Sequence, residues 1–324
     1  MAATARTIIR HGLEMRQHFY SEKLKMENWF PRHMYRGLLQ VQGKLHSIDA
    51  VVEVHDARIP FTGRNNKLTD IGIVKPSVLV INKIDLIDPR YRESLQQRFE
   101  RMGHTVLFSN CKDSGDAGVK NLIPCVIDKL SEDNRFNRAG NPVYNLMVIG
   151  VPNVGKSSLI NCLRSHNVQR KKCATVGPVP GVTRSVMERI KVYRKPEVFV
   201  RDTPGVLAPR IPDIESGIKL ALTAVVDDRL IGTMIMADYL LYWLNRRGRH
   251  EYVTKLQLSG PTDHIQKLLV TIALKNNLIR QSKSVKRDGK KFPDMDEAAM
   301  FFVRLWRKGE LGCAMLDDEE LILP

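Results

Sequence analysis

The sequence predicts an α/β protein: a largely parallel sheet followed by a separate helical domain. Three observations carry this. Short apolar, β-prone runs alternate with helical patterns up to residue 201, at 48–55, 76–81, 105–108, 143–149, 186–193 and 197–201. A glycine-rich segment, Gly150–Ser157 (GVPNVGKS), joins one such run to a helical pattern, the setting of a βα turn. From Glu215 onward helical patterns dominate, at 216–226, 236–245, 262–275 and 296–308, and no convincing strand run follows.

Composition bounds the rest. A chain of 324 residues with 43% hydrophobic residues is long enough for about two domains with real cores. The nearest approach to a membrane span, Leu230–Leu244, is interrupted by Asp238 and fits a buried helix better. A net charge of +16 points to a polyanionic partner such as RNA, DNA or an anionic membrane surface. Residues 245–291 are densely basic, with 12 Lys/Arg against 3 Asp/Glu, and the tail Asp317–Glu320 (DDEE) is acidic. The five cysteines (111, 125, 162, 173 and 313) are odd in number and form no C-x-x-C pair, which argues against a disulfide framework or a zinc site. Residues 1–13 contain Arg6 and Arg10, no acid, and small hydroxyl or apolar residues, the composition of a mitochondrial presequence; an ordinary basic N-terminal helix is the alternative.

The elements then run in order. Trp29–Met34 (WFPRHM) places aromatics and His33 beside a proline, as a segment anchored on an apolar surface would. The strand run 48–55 ends at Asp56–Pro60 (DARIP), and the run 76–81 leads straight into Asn82–Asp85 (NKID). The NKID sequence suits guanine. A carboxylate at Asp85 can accept from both N1–H and the N2 amino group, a donor pair that adenine lacks. Asn82 can bond the O6/N7 edge and brace the loop, and Lys83 can lay its stem over the base. A helix at 89–102 follows, with Pro89 at its first turn, then a strand at 105–108 ending in Ser109, Asn110 and Cys111, where a second base-contacting loop is expected. A helix at 116–131 and a polar linker lead to the glycine loop.

That loop matches G-x-x-x-x-G-K-S, whose backbone N–H groups wrap phosphates at a helix N-terminus. Asn153, Val154, Gly155, Lys156, Ser157 and Ser158 are the expected phosphate-side contacts, with Lys156 on the β- and γ-phosphates and Ser157 on Mg²⁺. Downstream, Thr183 is a candidate second Mg²⁺ ligand, and Asp202–Gly205 (DTPG) closes a strand run. Asp202 would hold Mg²⁺, and the Gly205 N–H would sense the γ-phosphate. The base-reading motifs thus precede the phosphate loop, the reverse of ordinary GTPases. Circular permutation reconciles the order, since chain ends that lie close together at a surface can be rejoined. It also connects the γ-phosphate-sensing segment directly to the helical domain.

With these residues in hand, the chain resembles the circularly permuted ribosome biogenesis GTPase A family over residues 28–320. The resemblance rests on the motif order, on WFPRHM at 29–34, on DARIP at 56–60 and on DTPGVL at 202–207. It implies an α/β, circularly permuted P-loop GTPase domain over 28–210 and a helical RNA- or ribosome-binding domain over 211–324, after an extension at 1–27. It implies GTP hydrolysis coupled to maturation of a large ribosomal subunit, here the mitochondrial one, through contacts with its rRNA. The organellar members work in the matrix, peripheral to the inner membrane; a monomer is expected, and no DNA partner. Val206 follows Gly205 where Ras-like enzymes carry a water-orienting Gln, so intrinsic hydrolysis should be slow. His33 corresponds to a histidine considered for the helper role, although Arg32 stands where the family usually has Gly. Asn153 resembles the asparagine of K⁺-activated GTPases. The other readings are an RNA-binding scaffold with a structural nucleotide site and a P-loop enzyme acting on a metabolite or tRNA. Intact Lys156, Ser157, Thr183 and Asp202 argue against the scaffold, and no further catalytic constellation supports the enzyme.

Overall fold

The computed structural model describes residues 8–10, 13–19, 43, 45–64, 75–113, 115–132, 143–168, 189–202, 211–281 and 291–321. Its strands are, in chain order, β1 (Ile8–Arg10), β2 (Leu13–Met15), β3 (Ala50–Asp56), β4 (Ser77–Asn82), β5 (Val106–Ser109), β6 (Val143–Ile149), β7 (Arg189–Tyr193), β8 (Glu197–Asp202), β9 (Ile279–Gln281) and β10 (Lys291–Pro293). Packing divides the chain into two compact units. A sheet unit takes Asn28–Asp227 together with Ala314–Pro324, and a helical unit takes Met1–Glu27 together with Asp228–Cys313.

Six strands of the sheet unit lie in the order β5-β4-β3-β6-β8-β7, parallel throughout except for the edge strand β7. All seven positions of β3 are buried, as a central parallel strand covered on two faces requires, and its Ala-Val-Val run supplies that surface. The chain steps outward from β3 through β4 to β5. It then returns to β6 on the other side of β3 and steps outward again to β8. This reversal opens a crevice at the carboxyl ends of β3 and β6, the general ligand position of open parallel sheets. Register aligns the strand ends: Asp56 pairs with Asn82, Asn82 with Ser109, and Val148 with Asp202. Beneath the β3–β5 ends lies one apolar cluster, which includes Leu79, Ile81, Ile87, Leu95, Phe99 and Met315, with Phe61 stacked on Phe99 at 5.1 Å. Truncating a buried ring such as Phe99 to Ala costs about 3–5 kcal/mol.

In the helical unit, the Thr233–Arg246 helix is buried from Tyr239 to Asn245 and packs against the Ile265–Lys275 and Met295–Arg307 helices. Asp294 caps the last of these, accepting from the Glu297 N–H at 3.1 Å. No described helix is long and apolar enough to cross a membrane.

Three features differ from the sequence reading. The helical unit holds a small antiparallel pair, β9–β10, whose three-residue strands are too short to register as an alternating pattern. Residues 13–19, read as part of an extension outside the domains, belong to the helical unit. Arg16 there bonds Asp238 at 2.8 and 3.1 Å and Asp263 at 2.7 and 3.1 Å, and the Phe19 ring meets Tyr239 edge-on. Finally, the boundary expected at residue 210 falls at 227, because the Ile214–Leu222 helix packs with the sheet unit, and the last residues return to that unit rather than ending in the helical one.

Candidate nucleotide site

The glycine loop leaves β6 at Gly150 and enters the Lys156–Val168 helix, as its sequence predicts. Gly150 and Gly155 have φ values of +146° and +102°, conformations that side chains rarely adopt. A Cβ on Gly155 would sit 2.2 Å from the Asn82 amide nitrogen, so this glycine lets the base-reading loop touch the phosphate loop. Lys156 is buried and donates to the carbonyls of Gly150 and Val151 at 3.1 and 2.9 Å. Its ammonium therefore lies across the loop, where phosphate oxygens can replace those carbonyls.

Asn82 joins three loops. Its Nδ2 donates to the Val154 carbonyl at 2.8 Å, and its Oδ1 accepts from the Ser109 hydroxyl at 3.1 Å and the Cys111 N–H at 3.4 Å. Lys83, in the left-handed region at φ 61°, donates to the Asn153 carbonyl at 2.5 Å and to Asp56 at 2.8 Å. The following 3-10 turn, Ile84–Leu86, presents Asp85, whose side chain is 26% exposed and pairs with Lys112 at 3.0 Å. Buried polar atoms fix the frame while the Asp85 carboxylate stays reachable. The Asn153 side chain is itself held, its Nδ2 donating to the Ala224 carbonyl at 2.7 Å. Asn110 is set by its N–H to Asp116 and by its Oδ1 on the Lys112 N–H. Cys162, on the phosphate-loop helix, donates its thiol to the Cys111 carbonyl at 3.1 Å. A side-chain hydrogen bond with Cys162 that favours the protonated form, together with burial, pushes the Cys111 thiol well above its ordinary range, so it stays protonated.

The structure thus brings Asn82, Lys83, Ser109, Cys111, Asn153, Val154 and Gly155 into one bonded frame, with Asp85, Asn110 and Lys156 at its edges. Ser157 and Ser158 open the phosphate-loop helix, and the backbone of Asp202 ends the strand beside β6. The Ser157 hydroxyl at the helix start is a hard oxygen donor of the kind that suits Mg²⁺, which is commonly held by few protein oxygens plus substrate phosphates. His33, Thr183, Gly205 and Val206 lie outside the described residues.

Four supports were given no role in the site from sequence. Asp56 is fully buried; burial would raise its carboxyl, but Arg58 and Lys83 override this and hold it well below the usual carboxylate range. Arg58 bonds it at 2.9 and 2.7 Å and is itself buried. Asp116 caps the Ala117–Glu132 helix through the Val119 N–H at 2.8 Å, besides fixing Asn110. Asp317 comes back from the far end of the chain to accept from Phe61 and Thr62 and to pair with Lys219. An Asp just before a helix signals the third of these; nothing local signals the last.

Residues 145–273 match the 50S ribosome-binding GTPase family. The chain is 46% identical over 295 residues to mitochondrial ribosome-associated GTPase 1 of Mus musculus, covering 90% of each chain. It is 32% identical over 294 residues to ribosome biogenesis GTPase A of Priestia megaterium, covering 90% of this chain and 96% of that one. Its fold is similar to that of GNP-bound YlqF from T. maritima, with a TM-score of 0.51 at 22% identity, over 86% of this chain and 96% of that one. With the base-reading strands preceding the phosphate loop in one sheet, and with these relatives, the chain belongs to the mitochondrial ribosome-associated GTPase 1 family of circularly permuted GTPases.

Proposed function

We propose that this GTPase binds the mitochondrial large ribosomal subunit and couples GTP hydrolysis to assembly of that subunit or to regulation of mitochondrial translation. The observation that carries the reading is Asn82, which bonds the phosphate loop and the second base loop at once. Base recognition and phosphate binding are thereby held in one frame. Guanine pairs with Asp85. The loop N–H groups and Lys156 take the phosphates, and Ser157, Thr183 and Asp202 hold Mg²⁺, which supplies charge neutralisation at the β,γ-phosphates when bound. Gly205 senses the γ-phosphate. Asn153 would hold K⁺, which would supply positive charge near the phosphates. Val206 positions no water, so hydrolysis is slow alone and faster on the subunit, with His33 the candidate helper.

The sequence after Gly205 leads into the helical unit, whose exposed Arg246, Lys267 and Arg280 suit rRNA phosphates. The protein works as a monomer in the mitochondrial matrix, peripheral to the inner membrane.

Co-sedimentation with purified mitochondrial large subunits tests this reading. The form bound to a non-hydrolysable GTP analogue should pellet with the subunit and the GDP form should stay in the supernatant. Equal pelleting of the two forms would remove the switch.

A further inference from the structure

The chain leaves the helical unit at Cys313, and the residues that follow are built into the sheet unit. The Ala314 N–H donates to the Leu86 carbonyl at 3.0 Å, and the Leu316 N–H to the Arg58 carbonyl at 2.8 Å. Met315 is fully buried in the apolar cluster with Ile81, Ile87 and Phe99. Asp317 is fully buried and accepts from the Phe61 N–H at 3.0 Å, the Thr62 N–H at 2.8 Å and the Thr62 hydroxyl at 2.6 Å. Lys219, on the Ile214–Leu222 helix, lies 3.5 Å from the same carboxylate. A buried carboxylate with charge-assisted partners holds its neighbours far more firmly than a surface pair does.

These anchor points are specific. Leu86 closes the 3-10 turn that carries Asp85. Arg58 grips Asp56, and Asp56 holds Lys83, whose ammonium braces the Asn153 carbonyl of the phosphate loop. Phe61 and Thr62 continue the loop that contains Arg58. Leu86 and Arg58 reach a base-reading residue in one or two bonded steps, and Phe61 and Thr62 reach it through the loop that contains Arg58.

We propose that residues 314–318 are a positioning segment for the guanine nucleotide: the returning chain holds the Asp85 turn and the Asp56–Arg58 loop in base-reading register. Asp317 is fully buried against Phe61, Thr62 and Lys219 and acts through them as a positioning residue. The inference rests on guanine binding at Asn82–Asp85. Its consequence is a second chemical connection between the helical unit and the nucleotide site, made through the chain that leaves that unit rather than the chain that enters it.

The test uses the full-length protein and a fluorescent GDP analogue. Asp317→Ala should raise the GDP Kd about tenfold, the effect of losing one charge-assisted contact on the loop frame. Asp317→Asn, which keeps an acceptor oxygen without the charge, should recover part of that loss. Thr62→Val, which deletes one donor and keeps the fold, should raise Kd by about threefold and decides the matter if Asp317→Ala does not fold. Asp85→Asn is the control for the site itself and should move preference from guanine toward xanthine nucleotides. A lower thermal midpoint in the Asp317 and Thr62 variants with Kd within about twofold of wild type overturns the inference and leaves the site intact. An unchanged base preference in Asp85→Asn overturns the site reading instead.

Discussion

The strand ends that carry Asp56, Asn82 and Ser109 bury their polar groups, whereas the helical unit buries an apolar helix and keeps Arg246, Lys267 and Arg280 at its surface. Burial makes the first arrangement rigid and selective, because each buried donor or acceptor needs one partner in one geometry. Exposure makes the second tolerant and salt-sensitive, as contacts to a phosphate backbone are. In the proposed function, the first region chooses a nucleotide and the second meets an RNA. The two should therefore fail in different ways when their charges are altered.

The largest effect is expected at the buried pair. Asp56→Asn leaves Arg58 and Lys83 without their shared carboxylate and should destabilise the protein by about 3–5 kcal/mol, read by denaturant unfolding. The pH dependence has a definite sign. Asp56 titrates below its unfolded value, so its contribution is complete above the ordinary carboxylate range, about pH 4, and is lost as pH falls through the lower folded value. Wild-type stability should show this acid limb, and Asp56→Asn should flatten it. Next, Asp85→Asn should weaken GDP by about 1–3 kcal/mol without unfolding the protein. An equal loss for GDP and for adenine nucleotides would show that Asp85 reads no base.

On the helical unit, reversing Arg246, Lys267 and Arg280 together should leave GDP affinity unchanged. The same change should lower the salt slope of RNA binding by about 2, at roughly 0.7 per lost phosphate contact. Arg249 is a poorer choice for that test: it donates to the Cys313 carbonyl at 2.6 Å, so its loss disturbs packing as well as charge. The smallest effect belongs to Lys112, whose exposed ion pair with Asp85 is worth about 0–1 kcal/mol. Lys112→Ala should shift GDP Kd by less than about fivefold; a larger change would make Lys112 part of the base site.

The same contrast explains what the sequence discloses. Asn82–Asp85 and Gly150–Ser157 are legible because a base edge and a phosphate chain impose residue types at fixed spacing. The strands β3, β4 and β6 are legible because burial on two faces demands continuous apolar runs. Asp317 is not legible: an Asp-Asp-Glu-Glu tail reads as solvated charge, and its partners lie at Phe61 and Thr62, far away in the chain. Arg16 is hidden in the same way, since a basic residue just past a presequence-like stretch gives no local sign of its half-buried double ion pair. Long-range polar pairing leaves no periodicity.

The most direct test of the central claim is GTP hydrolysis measured with and without mitochondrial large ribosomal subunits, in wild type and in Lys156→Ala. The account predicts a slow rate alone, a marked rise with subunits, and a loss of about 10²–10³-fold in the stimulated rate for the variant. A stimulated rate unchanged in Lys156→Ala would contradict it.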